Sequence, residues 1–191
     1  MKVGVLVSGS GTNLQALLDA EARGQLGGAT ITVVISNNPT APALQRATAA
    51  GKPALAIDHR GLERQQFEDL VIAGLGDVDL IVLAGFMRVL TPHFLAHFPD
   101  RVINTHPSLL PLYPGLDAPA QAIAAGATES GVTVHYVNAT VDGGQIIAQE
   151  SVPVMPGDTG TTLHLRIQAK EHVLLPRVVK QLAVIPSKPA E

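Results

Sequence analysis

The sequence contains no cysteine and no tryptophan, and only 3% of its residues are aromatic. The absence of cysteine excludes structural disulfides, thiolate metal sites and catalysis by a thiol, and it is compatible with a reducing compartment. A chain of 191 residues can bury enough surface to fold without such cross-links. We therefore expect residues 1–191 to form a single domain.

An excess of basic charge is also missing, since 13 basic residues face 16 acidic ones and the net charge is −3. This balance provides no field that would attract nucleic acid or an anionic membrane. No apolar run reaches the length of a membrane helix, and residues 1–7 are too short to be a signal peptide. We predict a soluble, cytoplasmic protein without nucleic-acid or membrane partners.

Short runs rich in Val and Ile alternate with helix-like stretches in the first half of the chain. The predicted strands lie at 2–7, 30–35, 54–57, 79–83 and 101–104. The predicted helices lie between them at 13–22, 41–50, 62–75 and 91–96. Continuous apolar strands are typical of a parallel sheet that is covered on both faces. The pattern predicts a doubly wound α/β fold with a mostly parallel sheet and helices on both faces.

The second half of the chain has a different pattern. A short helix is predicted at 118–125, followed by strands at 131–137 and 145–152, which the DGG sequence at 142–144 joins as a hairpin or sharp connection. A long helix is predicted at 161–182, and Pro176 is expected to kink or shorten it. Residues 184–191 are predicted to form a flexible tail.

The first predicted strand ends in a glycine-rich segment, SGSGTN at residues 8–13, which enters the first helix. Ligands of open parallel sheets bind beyond the carboxyl ends of the strands, and the free N–H groups of a helix start suit a phosphate. Leu14 replaces the third glycine of a dinucleotide fingerprint, and no Gly-Lys-Ser/Thr follows. The segment predicts either a phosphate site or a plain turn with Thr12 or Asn13 as the helix cap.

The fourth and fifth predicted strands end at the same edge of the sheet. The fourth ends in LAGFMR at 83–88, which suits either an apolar ligand pocket or a core strand with its turn. In the fifth, Asn104 and His106 are two residues apart, so both side chains point the same way, and Pro107 favours an extended chain there. A carboxamide beside an imidazole can stabilise an oxyanion and move a proton. The alternative is a structural, hydrogen-bonded histidine.

Asp142 lies in the sequence VDGG at 141–144, and Asp-Gly is a common turn pair. A functional role requires its carboxylate to meet His106, where it would favour the imidazolium and raise the pKa of the histidine. The other histidines have no comparable neighbour and are interpreted as structural: His59, His93, His97, His135, His164 and His172. Because the seven histidines are not spaced as metal ligands, we predict no metal site.

Together these segments resemble the phosphoribosylglycinamide formyltransferases, a branch of the formyltransferase superfamily in purine biosynthesis. The matching segments occur in family order at 8–16, 83–90, 104–111, 141–144 and 168–172. The HPSLLP block at 106–111 and the DGG sequence are shared by the wider superfamily. The glycine-rich loop that runs into Asn13 indicates the glycinamide ribonucleotide branch. Relatives often have histidine near the positions of Asp117 and Pro119.

The resemblance implies an enzyme that transfers the formyl group of 10-formyltetrahydrofolate to the amine of N1-(5-phosphoribosyl)glycinamide in de novo IMP biosynthesis. It implies direct attack of the amine on the formyl carbon, with Asn104 and His106 donating to the resulting oxyanion. Asp142 would orient His106, raise its pKa and hold a water that relays a proton. The formyl donor is a co-substrate, no metal is implied, and the chain is expected to be a monomer or weak homodimer.

The resemblance also implies two binding regions. The acceptor nucleotide would be held at its phosphate by Gly11, Thr12 and Asn13. Gln168 and Glu171, one helical turn apart, would reach the ribose hydroxyls or the amide end. The implied folate contacts are Arg64, Met87, Arg88, Val89, Leu90, Asn104, Ala139, Thr140, Val141 and Asp142. The implied apolar walls of the pterin pocket are Leu83, Phe94, Val102 and Val137.

Three other functions remain as alternatives. A methionyl-tRNA formyltransferase is expected to have an extra C-terminal domain and a basic surface. A formyltetrahydrofolate hydrolase would use water as the acceptor and is expected to have an N-terminal regulatory domain. A non-catalytic folate- or nucleotide-binding module is compatible with the fold, although binding alone does not require Asn104, His106 and Asp142.

Overall fold

A computed structural model describes residues 1–184 of the chain. The tail predicted at 184–191 lies outside the described residues, except for Val184 at the end of the last helix. The strands are β1 (Lys2–Val7), β2 (Thr30–Ser36), β3 (Ala54–Ala56), β4 (Leu80–Leu83), β5 (Val102–His106), β6 (Glu129–Tyr136) and β7 (Ile146–Pro153). The helices are α1 (Thr12–Ala22), α2 (Pro42–Ala49), α3 (Arg64–Leu75), α4 (Pro92–His97), α5 (Ala118–Ala124) and α6 (Gly160–Val184).

The strands form one sheet in the order β3-β2-β1-β4-β5-β6-β7. Strands β1 to β5 pair in parallel, while β6 is antiparallel to β5 and β7 is antiparallel to β6. The predicted mostly parallel sheet and the hairpin of its last two strands are confirmed. Strand β4 returns to lie beside β1, so the sheet has a switch point where the loops after β1 and β4 diverge and leave a crevice.

Two apolar clusters cover the two faces of the sheet, as the doubly wound prediction requires. One cluster combines Val3, Val5 and Val7 of β1 with apolar residues of α1, α2, α5 and α6. The other combines Leu6 of β1 with residues of α3 and α4. The alternation along β1 follows from the two-residue period of a strand, which sends successive side chains to opposite faces.

Helix α6 extends over 25 residues and passes through Pro176 without ending. The prediction that Pro176 would shorten this helix is therefore wrong. Fully buried side chains lie on both sides of the proline, at Leu163, Ile167, Leu174 and Val179. Their burial offsets the hydrogen bond that a proline removes from a helix interior. Among the helices of residues 1–184, none is long and apolar enough to cross a membrane.

Candidate active site

The glycine-rich segment after β1 forms the start of α1. Gly11 is the N-cap, with a φ of 73° in the left-handed region, so the interpretation of Thr12 or Asn13 as the cap is wrong. A Cβ at this position would lie 2.6 Å from the Cβ of Ala43, which explains why glycine is needed here. Within the described residues, no side chain caps this helix. The first N–H groups of α1 therefore remain available to a ligand.

A cleft with a volume of about 300 Å³ opens beside this helix start. Its lining comes from four regions of the chain, the loops after β1, β4 and β5 and the helix α6: Ser8, Gly9, Ser10, Gly11, Thr12, Asn13, Ala84, Gly85, Met87, Thr105, Pro107, His164, Gln168 and Glu171. All five residues predicted to hold the acceptor line this cleft. It also includes one histidine interpreted as structural, His164. The helical spacing of this residue from Gln168 and Glu171 was the signal that could have revealed it.

Polar side chains form a network at the floor of the cleft. The carboxylate of Glu171, which is 4% exposed, accepts hydrogen bonds from Asn13 Nδ2 at 3.4 Å and Thr105 Oγ1 at 3.2 Å. Gln168 Nε2 donates to Thr12 Oγ1 at 3.0 Å. Within residues 1–184, the buried Asn13 Oδ1 has no hydrogen-bond partner. A buried acceptor without a partner is unfavourable, so this atom is suited to accept a hydrogen bond from a ligand.

Two of the three side chains predicted to be catalytic, His106 and Asp142, meet where β5 ends. Asp142 Oδ2 lies 3.4 Å from His106 Nδ1, and both side chains are less than 10% exposed. His106 Nε2 donates to the carbonyl oxygen of Tyr113 at 2.8 Å, and Asp142 Oδ2 also accepts from Gly115 N–H at 2.8 Å. The structure therefore brings His106 and Asp142 together across 36 residues of sequence. Nδ1 is the histidine nitrogen that faces the carboxylate.

A second histidine, interpreted as structural from the sequence, belongs to the same group. His135 is 2% exposed, and its Nε2 lies 3.3 Å from Asn104 Nδ2 and 3.6 Å from Asp142 Oδ1. Its Nδ1 faces the carbonyl oxygen of Tyr136 at 2.9 Å. Because a carbonyl can only accept, Nδ1 donates; Nε2 accepts from Asn104 when the ring is neutral and can donate to Asp142 only when the ring is protonated. His135 therefore orients the carboxamide of Asn104, and its interpretation as unrelated to the site is corrected.

The charge of Asp142 depends on this pair of histidines. Burial by itself would raise the pKa of Asp142. The contact with His135, the hydrogen bond from Gly115 N–H and the nearby charge of His106 outweigh burial and hold the pKa below its ordinary value. The carboxylate is therefore ionised at neutral pH, as it must be if it is to attract a protonated imidazole.

The Asp142 loop needs small residues behind the carboxylate. Asp142 has a φ of 51°, in the left-handed region. A Cβ on Gly144 would lie 1.6 Å from the carbonyl oxygen of Tyr136, and one on Gly143 would lie 2.6 Å from the side chain of Thr140. The two glycines thus allow the loop to fold back on β6 and present Asp142 to His106. The adjacent loop residues Ala139, Thr140 and Val141 are exposed.

The segment after β4 is held at its backbone. Met87 N–H donates to Ser8 Oγ at 2.8 Å, and the Arg64 guanidinium donates to Val89 O at 2.5 Å. The guanidinium of Arg88 lies 5.3 Å from the ring centre of Phe67. Leu90 is buried, while Met87 and Val89 are exposed.

The four predicted pterin-wall residues share one apolar cluster. Leu83, Phe94 and Val102 are buried in it, and Val137 packs against it. This cluster underlies the segment after β4, and the burial of Leu83, Phe94 and Val102 leaves little of these three side chains exposed. Within residues 1–184, including this site, no group of three or more His, Asp or Glu side chains is arranged to hold a metal ion.

The site combines a helix start without a side-chain cap, at the switch point of a doubly wound sheet, with a paired histidine and carboxylate at the end of β5, an arrangement typical of α/β enzymes. Residues 1–179 match the Formyl transferase family. The chain belongs to this family.

Among its relatives are phosphoribosylglycinamide formyltransferases, and the resemblance found in the sequence is confirmed. The enzyme of that name from Escherichia coli is 40% identical over 186 residues, which cover 96% of this chain and 87% of the relative. The trifunctional purine biosynthetic protein adenosine-3 of Drosophila melanogaster is 46% identical over 185 residues, or 95% of this chain, but the chain spans only 14% of that protein's length. The crystal structure of glycinamide ribonucleotide transformylase 1 from Symbiobacterium toebii superimposes with a TM-score of 0.92 at 44% identity, covering 96% of this chain and 87% of that one.

Proposed function

We propose that this chain transfers a formyl group from 10-formyltetrahydrofolate to the amine of N1-(5-phosphoribosyl)glycinamide, a step of purine biosynthesis. The observation that carries the proposal is the 3.4 Å approach of Asp142 Oδ2 to His106 Nδ1, beside a cleft that begins at a helix start without a side-chain cap. The names of the relatives support the acceptor, and membership of the family supports formyl transfer.

The chemistry requires a donor for the oxygen that becomes negative when the amine attacks the formyl carbon. Asn104 Nδ2 carries two hydrogens, and only one of them is directed to His135 Nε2. His106 Nε2 is committed to Tyr113 O. We therefore assign the oxyanion contact to Nδ1–H of the protonated His106 ring, in which both nitrogens carry hydrogen. The 3.4 Å distance from Nδ1 to Asp142 is longer than a normal hydrogen bond.

The proton balance assigns a second role to Asp142. A bond forms between the amine nitrogen and the formyl carbon, and the bond from that carbon to N10 of the folate breaks. The proton that leaves the amine has to reach N10, and Asp142, ionised at neutral pH, is suited to hold the water that relays it. Its negative charge also stabilises His106 in the protonated form during this transfer.

The acceptor fits the cleft by its chemistry. The N–H groups of Thr12 and Asn13 at the start of α1 would hold the phosphate, together with Gly11. The unpartnered Asn13 Oδ1 and the side chains of Gln168 and Glu171 would receive hydroxyl or amide hydrogens. Folate would lie over the segment 87–90 and under the loop 138–142, with Arg64 near its tail. A monomer or weak homodimer in the cytoplasm stays our prediction.

One assay tests this proposal. The protein is incubated with 10-formyltetrahydrofolate, with and without glycinamide ribonucleotide, and deformylation of the folate is followed. We expect turnover that depends on the acceptor. Turnover without the acceptor would instead indicate a hydrolase, and ligand binding without turnover a non-catalytic module, so either result contradicts the proposal.

The role of His106 is tested with a matched pair of variants. Loss of one oxyanion donor lowers kcat by roughly 10²–10³, and we expect at least that loss for His106→Ala with the fold intact. His97→Ala is the control, because His97 is exposed and its side chain bonds, within residues 1–184, only to His93 O of its own helix. Near-normal kcat in a folded His106→Ala protein would contradict the mechanism.

A further inference from the structure

A buried carboxylate outside the catalytic group contacts the segment proposed to bind folate. Glu68 of α3 is 2% exposed, and its side chain accepts a hydrogen bond from Thr91 N–H at 2.9 Å and a short one from Thr91 Oγ1. In the described part of the chain, Glu68 forms no ion pair with a basic side chain. Burying a carboxylate without a cation is costly. The two hydrogen bonds that Thr91 donates offset part of the cost of burying Glu68.

These bonds fix one end of the segment that follows β4. Thr91 is the N-cap of α4 and accepts from Phe94 N–H with the same hydroxyl that donates to Glu68. The other end of the segment is fixed where Met87 N–H donates to Ser8 Oγ at 2.8 Å. The backbone between these two anchors, at residues 88–90, is thus held between α3 and the loop after β1.

The sequence gives no sign of this arrangement. Glu68 lies in the predicted helix 62–75 among other polar residues, and a glutamate in such a position is usually solvated. The helical period places Arg64 and Glu68 on one side of α3. Both of these side chains contact the backbone of the segment, at Val89 O and at Thr91 N–H.

We propose that Glu68 is a positioning residue for the folate donor, acting through Thr91 to hold the backbone of residues 87–90 in its binding conformation. This inference rests on the proposed function. Glu68 itself does not contact the reacting atoms in this proposal. Its loss should therefore weaken the binding of folate and leave the catalytic group and the nucleotide cleft unchanged.

The test compares Glu68→Ala, Glu68→Gln and Asp69→Asn. We expect Glu68→Ala to raise the KM for 10-formyltetrahydrofolate and the Kd for tetrahydrofolate by about tenfold or more, the effect of losing a hydrogen bond to a charged group. The KM for the acceptor and kcat should change by less than about twofold, within the scatter of surface substitutions. Glu68→Gln retains an oxygen that can accept from Thr91 N–H, and it should restore most of the affinity.

Asp69→Asn is the matched control. Asp69 is the next residue of α3 and also links this helix to α4, through a 2.7 Å contact between its Oδ1 and His93 Nε2, but it lies at the exposed surface. Its variant should bind folate like the wild type. Equal losses in Glu68→Ala and Asp69→Asn would overturn the proposal, because both would then reflect general loosening of α3 against α4.

Hydrogen exchange provides a readout that needs no activity. In Glu68→Ala the amides of Thr91 and residues 87–90 should exchange faster than in the wild type, while those of residues 12–15 should not. Unchanged exchange at 87–91 together with unchanged folate affinity would overturn the role of Glu68. If the wild type itself does not transfer formyl groups from this donor, the proposed function fails, and this outcome is distinct from a failure of the Glu68 variants.

Discussion

At the scale of single residues, Asp142 connects three parts of the site. Its carboxylate meets His106 from β5, His135 from β6 and the N–H of Gly115 in the loop before α5. Each of these contacts favours the charged form, and together they outweigh the effect of burial on its pKa. A group held in its charged form by the fold contributes to the stability of that fold in a manner that depends on pH.

We predict that Asp142→Asn is less stable than the wild type at neutral pH and that the difference shrinks in acid. The folded protein has a lower Asp142 pKa than the ordinary value of 3.8, so the unfolded chain binds the proton more readily. The stabilisation is therefore complete above that ordinary value and is lost as the pH falls through the folded pKa. Urea unfolding of both proteins at a series of pH values measures the difference.

Asp77→Asn is a suitable control for this titration, because the side chain of Asp77 is 90% exposed in its pair with Lys2. Exposed pairs of this kind contribute little to stability, so this variant should follow the wild type at each pH. A difference between wild type and Asp142→Asn that stays constant from neutral pH to about pH 3 would show that Asp142 has no depressed pKa in the fold.

The sequence predicted neighbouring site residues on the same strand, but it did not predict a site residue on the adjacent strand. The spacing of Asn104 and His106, with Pro107 after them, was sufficient to place both side chains on one side of β5. His135 could not be found in this way. It lies opposite Asn104 only because of the register in which β5 and β6 pair as antiparallel strands. Such a register is set by tertiary structure, and the alternation in β6 shows only that His135 shares a face with Thr133.

At the scale of elements, the glycine-rich loop shows how backbone geometry determines a binding site. The sequence predicted the place of this loop and the start of α1 to within one residue. It did not distinguish the two glycines, which differ sharply in the structure. Gly11 has a positive φ and packs against Ala43, whereas a Cβ on Gly9 would meet no atom of the described chain within 4 Å.

This difference gives a paired prediction. We expect Gly11→Ala to lose about 2 kcal/mol or more of stability, since the added Cβ overpacks against Ala43 and is strained at a positive φ. It should also raise the KM for the acceptor by displacing the first N–H groups of α1. Denaturant unfolding and steady-state kinetics measure the two effects.

Gly9→Ala serves as the control within the same loop, and its stability should stay within about 0.5 kcal/mol of the wild type. A double variant, Gly11→Ala with Ala43→Gly, removes the 2.6 Å contact with the Ala43 Cβ, but it keeps the 2.8 Å approach to the backbone Cα of residue 43 and the left-handed backbone. It should recover only part of the lost stability. Equal stability of the two single alanine variants would contradict the structural distinction between these glycines.

Helix α6 marks a limit of predictions made from local sequence. Pro176 is a strong helix breaker by itself, yet the helix continues to Val184 because residues before and after the proline are buried in the same cluster. Propensity is a local term, and burial against β6, β7 and α1 is decided by the whole fold. The alternation of strands and helices, in contrast, was predicted correctly because the central strands β1, β2, β4 and β5 are apolar and mostly buried on both faces of the sheet.

At the scale of the whole molecule, the helices beside the two proposed binding regions pack on different faces of the sheet, although Met87 of the folate segment also lines the acceptor cleft. The acceptor cleft is formed by α1 and α6, which pack on one apolar cluster, and the folate segment is supported by α3 and α4, which pack on the other. The side chains proposed to be catalytic lie on β5, at Asn104 and His106, and in the loop after β6, at Asp142. The two proposed substrates would thus lie beside helices on opposite faces of the sheet, although the reaction requires them to meet.

This separation predicts that the two binding regions are energetically independent. Gln168→Ala removes the bond to Thr12 on the acceptor side, and Arg64→Ala removes the bond to Val89 O on the folate side. Each should raise the KM of its own substrate by about two- to tenfold, the effect of one hydrogen bond. Each loss in kcat/KM is converted to a free energy. The free energy lost by the double variant should equal the sum of the two single losses within about 0.5 kcal/mol, as for distant sites without shared partners.

The contrasting pair is Asn104 and His135, whose side chains are 3.3 Å apart. Asn104→Ala and His135→Ala remove the two ends of one hydrogen bond. The second substitution should therefore lower kcat/KM much less once the first has been made. Their coupling energy should exceed about 0.5 kcal/mol, as expected for residues in contact. Strong coupling between Gln168 and Arg64 would mean that the two faces communicate through the sheet, and the independence of the two binding regions would have to be abandoned.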